Sequence, residues 1–447
     1  MKYSYKSINE LGKVITGKTP RTENSEYFNG LYPFITPTDI HSFNEKYLST
    51  TERTLSDLGA LQLKGNLLPK DSICFVCIGS TIGKMCKTKC DSFTNQQINS
   101  IIPYDDYNSD YLFYYIRYIK DYFISIGGGT GSGKGIINKT VFSKTKVKIV
   151  NDFDFQNKIA IILSKYDELI DINNKRIKLL EQAAEELYKE WFVRFRFPDY
   201  QSAEFENEKP NGWHFGDESN MKRPKGWEYT KFKKLGLFKR GKNITASEMV
   251  EGNIPVISAG IEPSGYHNKP NVYGDSLTIS ASGANAGFLK YNLKNIWAAD
   301  CLYYQDDELL WYVYNTLKFL QPVITNMQCG AAQPHVYPKN ISKLCIIIPP
   351  KSLIKKFCNI VTPFYNEIKQ LNQKNEILIK QRDLLLPRLM SGKLSVETKK
   401  GSVPKVKKII SFDKFCSNMG MAARAKSISD EDLRAMYEAY IDDDATE

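Results

Sequence analysis

From Phe155 to about Trp191 the apolar positions recur on a heptad, with Ile159, Tyr166, Asn173, Leu180 and Leu187 at a and Ile162, Leu169 and Ala183 at d. No Gly or Pro interrupts the run, so the pattern predicts one long helix with a narrow seam. At about 1.5 Å per residue it spans roughly 55 Å, longer than a small domain and suited to a spacer. The same pattern returns from about Leu353 to Met390, with Tyr365, Asn372, Ile379 and Leu386 at a and Val361, Ile368 and Leu389 at d. Lys144, Tyr166, Glu168, Asn173 and Lys175 meet Lys343, Tyr365, Glu367, Asn372 and Lys374 at one constant offset. Two such seams, each preceded by mixed material, predict a tandem repeat of one plan.

The material before each seam repeats as well. Leu11-Gly12 and Gly17-Lys18 become Leu235-Gly236 and Gly241-Lys242, and Pro33-Phe34-Ile35 becomes Pro255-Val256-Ile257. Asp71-Ser72 with Gly79 and Gly83 becomes Asp275-Ser276 with Gly283 and Gly287, at identical internal spacing. Between the shared glycines the side chains differ: Ser80 and Thr81 face Ala284 and Asn285. Backbone geometry is kept while chemistry varies, which suits a scaffold that reads two different things. Pro33 to Ile35 and Ser72 to Ile78 read as extended, Tyr111 to Ser125 has helical spacing, and a basic strand-like run ends at Ile149. Between Arg194 and Lys234 periodicity fails and Pro, Gly and charge take over, as at a domain boundary. Pro210-Asn211-Gly212-Trp213 and Pro224-Lys225-Gly226-Trp227 form a small duplication there.

Composition narrows the function classes. The chain has 447 residues, enough for two or three domains, and a formal charge of +11, which suits a polyanionic partner as well as a plain basic protein. From Lys222 to Lys242 nine Lys or Arg stand against one Glu, a phosphate-contacting edge or a solvated linker face. No apolar run approaches the roughly 20 residues needed to cross a bilayer, and no signal-peptide core opens the chain, so a cytoplasmic location is expected. Nine cysteines fit a reduced compartment. Cys74, Cys77, Cys86 and Cys90 can be written as a four-thiolate zinc site. Cys74 and Cys77, however, fall on opposite faces of an extended run, and buried thiols are the better reading.

Enzymatic motifs do not assemble. Gly127 to Gly135 contains G-x4-G-K ending at Lys134, but Gly135 follows where a P-loop needs Ser or Thr, and the segment follows a helix rather than a strand. The corresponding stretch Cys329 to His335 lacks the lysine. A loop with exposed amides and one lysine suits DNA phosphates or a groove, with a plain surface loop as the alternative. No Asn-Pro-Pro-aromatic tetrad of amino-methyltransferases is present, since Ile348 precedes Pro349-Pro350 and Lys351 follows. Pro198-Asp199 hints at a nuclease motif, but Asn207 replaces the carboxylate needed before Lys209. The four histidines show no catalytic or metal spacing.

Gly17-Lys18-Thr19-Pro20, Tyr27-Phe28-Asn29-Gly30 and Pro33 to Ile40 (PFITPTDI), with Glu181 to Trp191 (EQAAEELYKEW) and Gln381 to Leu394 (QRDLLLPRLMSGKL), are in order similar to the specificity subunit of type I restriction-modification systems. The resemblance covers residues 1 to about 395. It implies an α+β architecture: two globular mixed α/β target-recognition domains joined by two long helices packed as an antiparallel coiled coil, with an internal pseudo-two-fold repeat. The expected boundaries are 1–151 for the first recognition domain, 152–195 for the first helix and 196–228 for the linker. The second recognition domain then takes 229–350, the second helix 351–395, and an extension 396–447. That extension matches nothing in the family's pattern and reads as a disordered tail, with a docking peptide as the alternative.

The resemblance also implies a subunit without catalytic or metal-binding residues that reads a bipartite double-stranded DNA target. It implies recruitment of two methyltransferase subunits and of restriction (translocase/nuclease) subunits, which would carry S-adenosylmethionine, Mg2+ and ATP. The competing class is a DNA adenine methyltransferase or its catalytic half; a scaffold binding only proteins is a third. Loops at matching places nominate a DNA face of Lys18, Arg21, Ser80, Thr81, Lys84 and Lys134 in the first copy. In the second copy they nominate Lys242, Asn243, Ser282, Asn285, Gln333 and His335. Helix pairing is expected at Tyr166, Asn173, Leu180, Tyr365, Asn372 and Ile379, with Asn173 opposite Asn372 as the register pin. A roughly 55 Å ruler would cover about 16 base pairs.

Overall fold

The computed structural model describes residues 3–41, 45–48, 50–127, 135–206, 223–328 and 334–394. Lys134, Gln333, the Pro210 half of the small duplication and the extension from 396 lie outside the described residues. The chain divides into two compact units, Met1–Asn173 with the helix from Gln373 onward, and Asn174–Asn372. The division cuts across the boundaries expected from sequence order, because each unit takes one globule and half of each long helix.

In the first unit, β1 (Tyr3–Ser7), α1 (Ile8–Leu11), β2 (Gly12–Thr16) and β3 (Phe28–Ile35) are followed by β4 (Arg53–Leu55), α2 (Asp57–Gln62) and β5 (Ile73–Val76). Then come β6 (Met85–Lys87), β7 (Phe93–Thr94), β8 (Ile98–Pro103), α3 (Ser109–Tyr118), α4 (Lys120–Gly127), α5 (Lys139–Lys144), β9 (Lys146–Val150) and the long helix α6 (Phe153–Tyr188). Among the described residues three sheets result, in strand orders β1-β9, β2-β8-β5-β6 and β4-β3-β7. All pairs are antiparallel except β3 with β7, where Phe34 lies beside Phe93 and Ile35 beside Thr94.

The second unit repeats this order of pairing. After a short pair, β10 (Phe205–Glu206) and β11 (Arg223–Pro224), come β12 (Glu228–Lys231), β13 (Lys239–Arg240), β14 (Ile254–Ile257), β15 (Gly265–His267), β16 (Ser276–Ser280), β17 (Leu289–Asn292), β18 (Trp297–Ala298) and β19 (Cys301–Tyr304). Then α7 (Leu310–Phe319), α8 (Gln321–Asn326), α9 (Pro338–Ser342), β20 (Cys345–Ile348) and the second long helix α10 (Lys351–Met390) follow. Its sheets are β12-β20, β13-β19-β16-β17 and β15-β14-β18, each the counterpart of one in the first unit. The parallel pair recurs too, Val256 beside Trp297 and Ile257 beside Ala298.

The run from Tyr111 to Ser125 is two helices rather than one. Ile119 leaves helical geometry at ψ 11 between α3 and α4. Tyr111 to Arg117 are buried nearly all round, and the break lets Phe123 turn onto Phe75 and Phe142, at ring centroid distances of 5.2 Å each. The cysteine pattern resolves only in part as buried thiols: Cys74 and Cys86 belong to one core and Cys77 to another, but Cys90, between β6 and β7, is exposed. Burial pushes the Cys77 thiol up to about 12. Among the described residues no group of His, Cys, Asp and Glu is placed to hold a metal ion. Nor does any described helix have the length and apolarity to cross a membrane.

The long helices run antiparallel within each unit, but their seams differ in phase from the heptads above. In the first unit Asp167 meets Arg382 and Asn173 meets Asn375. In the second Arg176 meets Glu367 at 2.5 Å, and Trp191 and Phe192 pack on Phe357. Ile162, Leu169 and Ala183 are only half-buried; Leu163, Ala184 and Trp191, one residue on from a d position, are buried instead. On α10 the d positions persist, but two are polar: Asn375 and Arg382 are buried between Ile368 and Leu389. A seam searched for by apolar residues misses them.

Candidate nucleic-acid interface

The repeated glycines shape one end of each four-stranded sheet. Gly79 and Gly283 hold φ of 70° and 75°, a left-handed turn that side chains with a Cβ resist. Around that turn Val76 N–H donates to Lys84 O at 2.9 Å and Gly83 N–H to Val76 O at 3.1 Å. Ser280 N–H to Phe288 O at 3.0 Å and Gly287 N–H to Ser280 O at 2.8 Å reproduce the hairpin. Gly79 N–H then donates to Gly135 O at 2.9 Å, and Gly283 N–H to Pro334 O at 3.0 Å. The stretches leading out of Gly127–Gly135 and Cys329–His335 thus dock on equivalent turns.

A second glycine pair brings in the start of each globule. A Cβ on Gly17 would lie 2.3 Å from the carbonyl oxygens of Thr94 and Asn95, and one on Gly241 would lie 2.3 Å from Ala299 O. Such close approach lets Lys18 N–H donate to Thr94 O and Lys242 N–H to Ala298 O, both at 2.9 Å. The residues after each parallel strand, Asn95-Gln96-Gln97 and Ala299-Asp300, are therefore gripped by the Gly-Lys pair on one side. On the other, Cys77 N–H donates to Gln97 O at 2.9 Å, and Ala281 N–H to Asp300 O at 3.4 Å. Three loops converge in each unit.

The nominated residues divide on this frame. Lys18, Arg21, Ser80, Lys242 and Asn243 are exposed; Thr81, Asn285 and His335 are half-buried. Thr81 Oγ1 donates to Ile78 O within its own turn, and the His335 ring stacks on Tyr337 at 5.9 Å. Two belong to the support rather than the face. Lys84 Nζ donates to Ile40 O at 2.8 Å, and Ser282 is buried with its hydroxyl on Asp300. Of the helix-pairing residues, Asn173, Leu180 and Tyr365 are buried, Tyr166 and Ile379 half-buried, and Asn372 exposed. Asn173 Nδ2 donates at 2.7 Å to Asn375 Oδ1, one turn beyond Asn372 on α10.

Sequence reasoning did not single out the gripped loop itself. Gln96 is exposed and its Oε1 accepts from Thr19 Oγ1 at 2.7 Å, while Asn95 Nδ2 donates to Gln97 Oε1 at 3.0 Å. A cleft of about 240 Å³ opens beside it, lined by Thr36, Thr38, Arg53, Asn95 and Gln97 among others. In the second unit Arg240 Nη2 lies 3.4 Å from Asp300 Oδ1. The only sequence signal was indirect: the repeated Gly-Lys pairs had to grip something, and the gripped residues share no motif.

Exposed lysine, arginine, amide and hydroxyl groups on converging loops are the donor set that contacts phosphates and base edges. The family model described as the type I restriction modification DNA specificity domain matches residues 2–182 and 224–379. The chain is similar to the type I restriction enzyme MjaIX specificity subunit of Methanocaldococcus jannaschii, 29% identical over 420 residues, or 88% of this chain and 94% of that one. It is 34% identical over 184 residues to the HindI specificity subunit of Haemophilus influenzae, covering 39% of this chain and 38% of that one. The solved type I S subunit from M. genitalium superposes with a TM-score of 0.51 at 17% identity, over 87% of this chain and 96% of that one, a likeness of fold. The chain belongs to the type I restriction-modification DNA specificity family.

Proposed function

We propose that the chain reads a bipartite double-stranded DNA target, one half-site per unit, and recruits two methyltransferase subunits together with restriction subunits. The observation that carries the reading is the duplicated loop frame: the same glycine turns and Gly-Lys grips, with different side chains presented on them. Shared backbone with divergent side chains is what two related readers of different sequences require. Recognition is the role assigned to this chain, and chemistry to its partners. S-adenosylmethionine, Mg2+ and ATP belong to those partners, and the assembly works in the cytoplasm. The reading is tested by selecting duplexes from a randomised library with the full chain, alone and with the methyltransferase subunits of its own system. Enrichment of two short motifs at a fixed gap supports it; a single uninterrupted motif, or none, refutes it.

A further inference from the structure

Resting on that reading, we infer that the loop after each parallel strand sets one base contact of its unit: Gln96, on the loop itself, reads an adenine in one half-site, and Arg240, on the adjoining β13 and held by Asp300 of the loop, reads a guanine in the other. The two loops occupy the same place. Asn95 N–H donates to Ile35 O at 3.2 Å and Ala299 N–H to Ile257 O at 2.8 Å, so each leaves its parallel strand by the same bond. Each is then gripped by the equivalent glycine, Gly17 or Gly241. What differs is the chemistry placed at the tip.

In the first unit the tip is three amides. Asn95 and Gln97 are joined to each other by one side-chain bond and by Gln97 N–H donating to Asn95 Oδ1 at 3.1 Å, so they brace the loop. Gln96 is the exposed member, and its single bond to Thr19 orients the amide while leaving both NH2 hydrogens and an oxygen lone pair available. A glutamine amide offers one donor and one acceptor side by side, the complement of adenine N7 and N6 in the major groove. Lys18 and Arg21, exposed on the adjoining segment, supply phosphate contacts that hold the register.

The second unit puts a carboxylate where the amides stand, but both of its oxygens are occupied. Ser282 Oγ donates to Oδ2 and Arg240 approaches Oδ1. Arg240 is the outer partner, with 51% of its side chain exposed against 25% for Asp300. A guanidinium has five N–H donors, and one contact to Asp300 leaves the rest to reach guanine O6 and N7 as a fork. Asp300 acts through Arg240 and is a positioning residue. The corresponding place in the first unit is Thr16, whose hydroxyl donates to Asn99 Oδ1 at 2.6 Å, so no equivalent arginine competes there.

The test uses the full chain and libraries randomised in one half-site at a time. Gln96→Ala should lose its adenine preference at one position of the first half-site by roughly ten- to a hundredfold, leaving the second half-site unchanged. Arg240→Ala should do the same for one guanine of the second half-site only. Asp300→Asn should weaken discrimination at that same guanine, and Arg240→Lys should not restore it, since a lysine lacks the fork. Both alanine sites are exposed, so folding is retained and is checked by circular dichroism. If the wild-type chain selects a split sequence and both alanine variants select the same one, the inference falls and the recognition reading stands. A change of preference at a base other than adenine or guanine likewise overturns the assignment. If the wild-type chain selects nothing, the recognition reading falls, and this inference with it.

Discussion

Replacing Arg382 by Ala should destabilise the first unit by about 3 kcal/mol. The Arg382 side chain is 0% exposed and pairs with Asp167, itself 7% exposed, whose other oxygen accepts from Tyr114 OH at 2.5 Å. Removing the guanidinium leaves a buried carboxylate with one phenol partner, and breaking a buried pair from one side typically costs about 3 to 5 kcal/mol. The lower end applies because Arg117 is close by: burial, and then repulsion by Arg382, pull its pKa down to about 10, and losing Arg382 relieves that repulsion. By contrast, breaking the exposed Lys165–Glu168 pair, with side chains 53% and 54% exposed, should cost less than about 1 kcal/mol. The assay is urea denaturation followed by far-UV circular dichroism beside tryptophan fluorescence. All five tryptophans lie within 174–372, so fluorescence reports the second unit and the difference reports the first. The double variant Asp167→Asn with Arg382→Met should recover roughly 2 kcal/mol relative to Arg382→Ala, because the buried Asp167 charge goes with its partner, while the Asp383 carboxylate that Arg382 also binds is 46% exposed and loses that bond in both variants. If Arg382→Ala costs no more than the exposed pair, or the double variant recovers nothing, buried pairing is not what Arg382 contributes.

Three further outcomes are expected. Lys18→Ala and Lys242→Ala should each weaken DNA binding and reduce the salt slope by roughly one phosphate contact, measured by titration at several salt concentrations; unchanged slopes would remove them from the face. Gly17→Ala should destabilise by about 2 to 3 kcal/mol in thermal or urea unfolding, because the new Cβ meets two carbonyl oxygens at 2.3 Å; wild-type stability would contradict the close approach. Burial pushes the Asp110 carboxyl up, but the ammonium groups of Lys46 and Lys87 outweigh it and leave the pKa below its ordinary value. Between the folded and unfolded pKa the unfolded chain binds the extra proton, so this stabilisation is full above the unfolded value, near 4, and lost as pH falls through the folded one. Asp110→Asn should therefore flatten the acid limb of the stability curve, and an unchanged limb would count against the cluster.

The duplication, the two long helices and the glycine turns were all legible in the sequence, because each rests on local rules. Heptad spacing, which carries α10 through Pro363 and Pro387 as well as the uninterrupted α6, and the left-handed preference of glycine act within a few residues of chain, so Gly79, Gly83, Gly283 and Gly287 could be matched before their turns were seen. What tertiary structure alone decided is which residues those frames bring together. Asn375 and Arg382 occupy buried seam positions because Asn173 and Asp167 on α6 satisfy them; the neighbouring Asp383 also binds Arg382, but the partners on α6 lie 202 and 215 residues away in the chain. Lys84 and Ser282 looked like surface donors at matched places, but Ile40 O and Asp300, distant in sequence, draw them into the support. Gln96 and Arg240 carry no motif. They become readers only because a parallel strand pair and a glycine without a side chain let separate loops close onto one edge of the sheet.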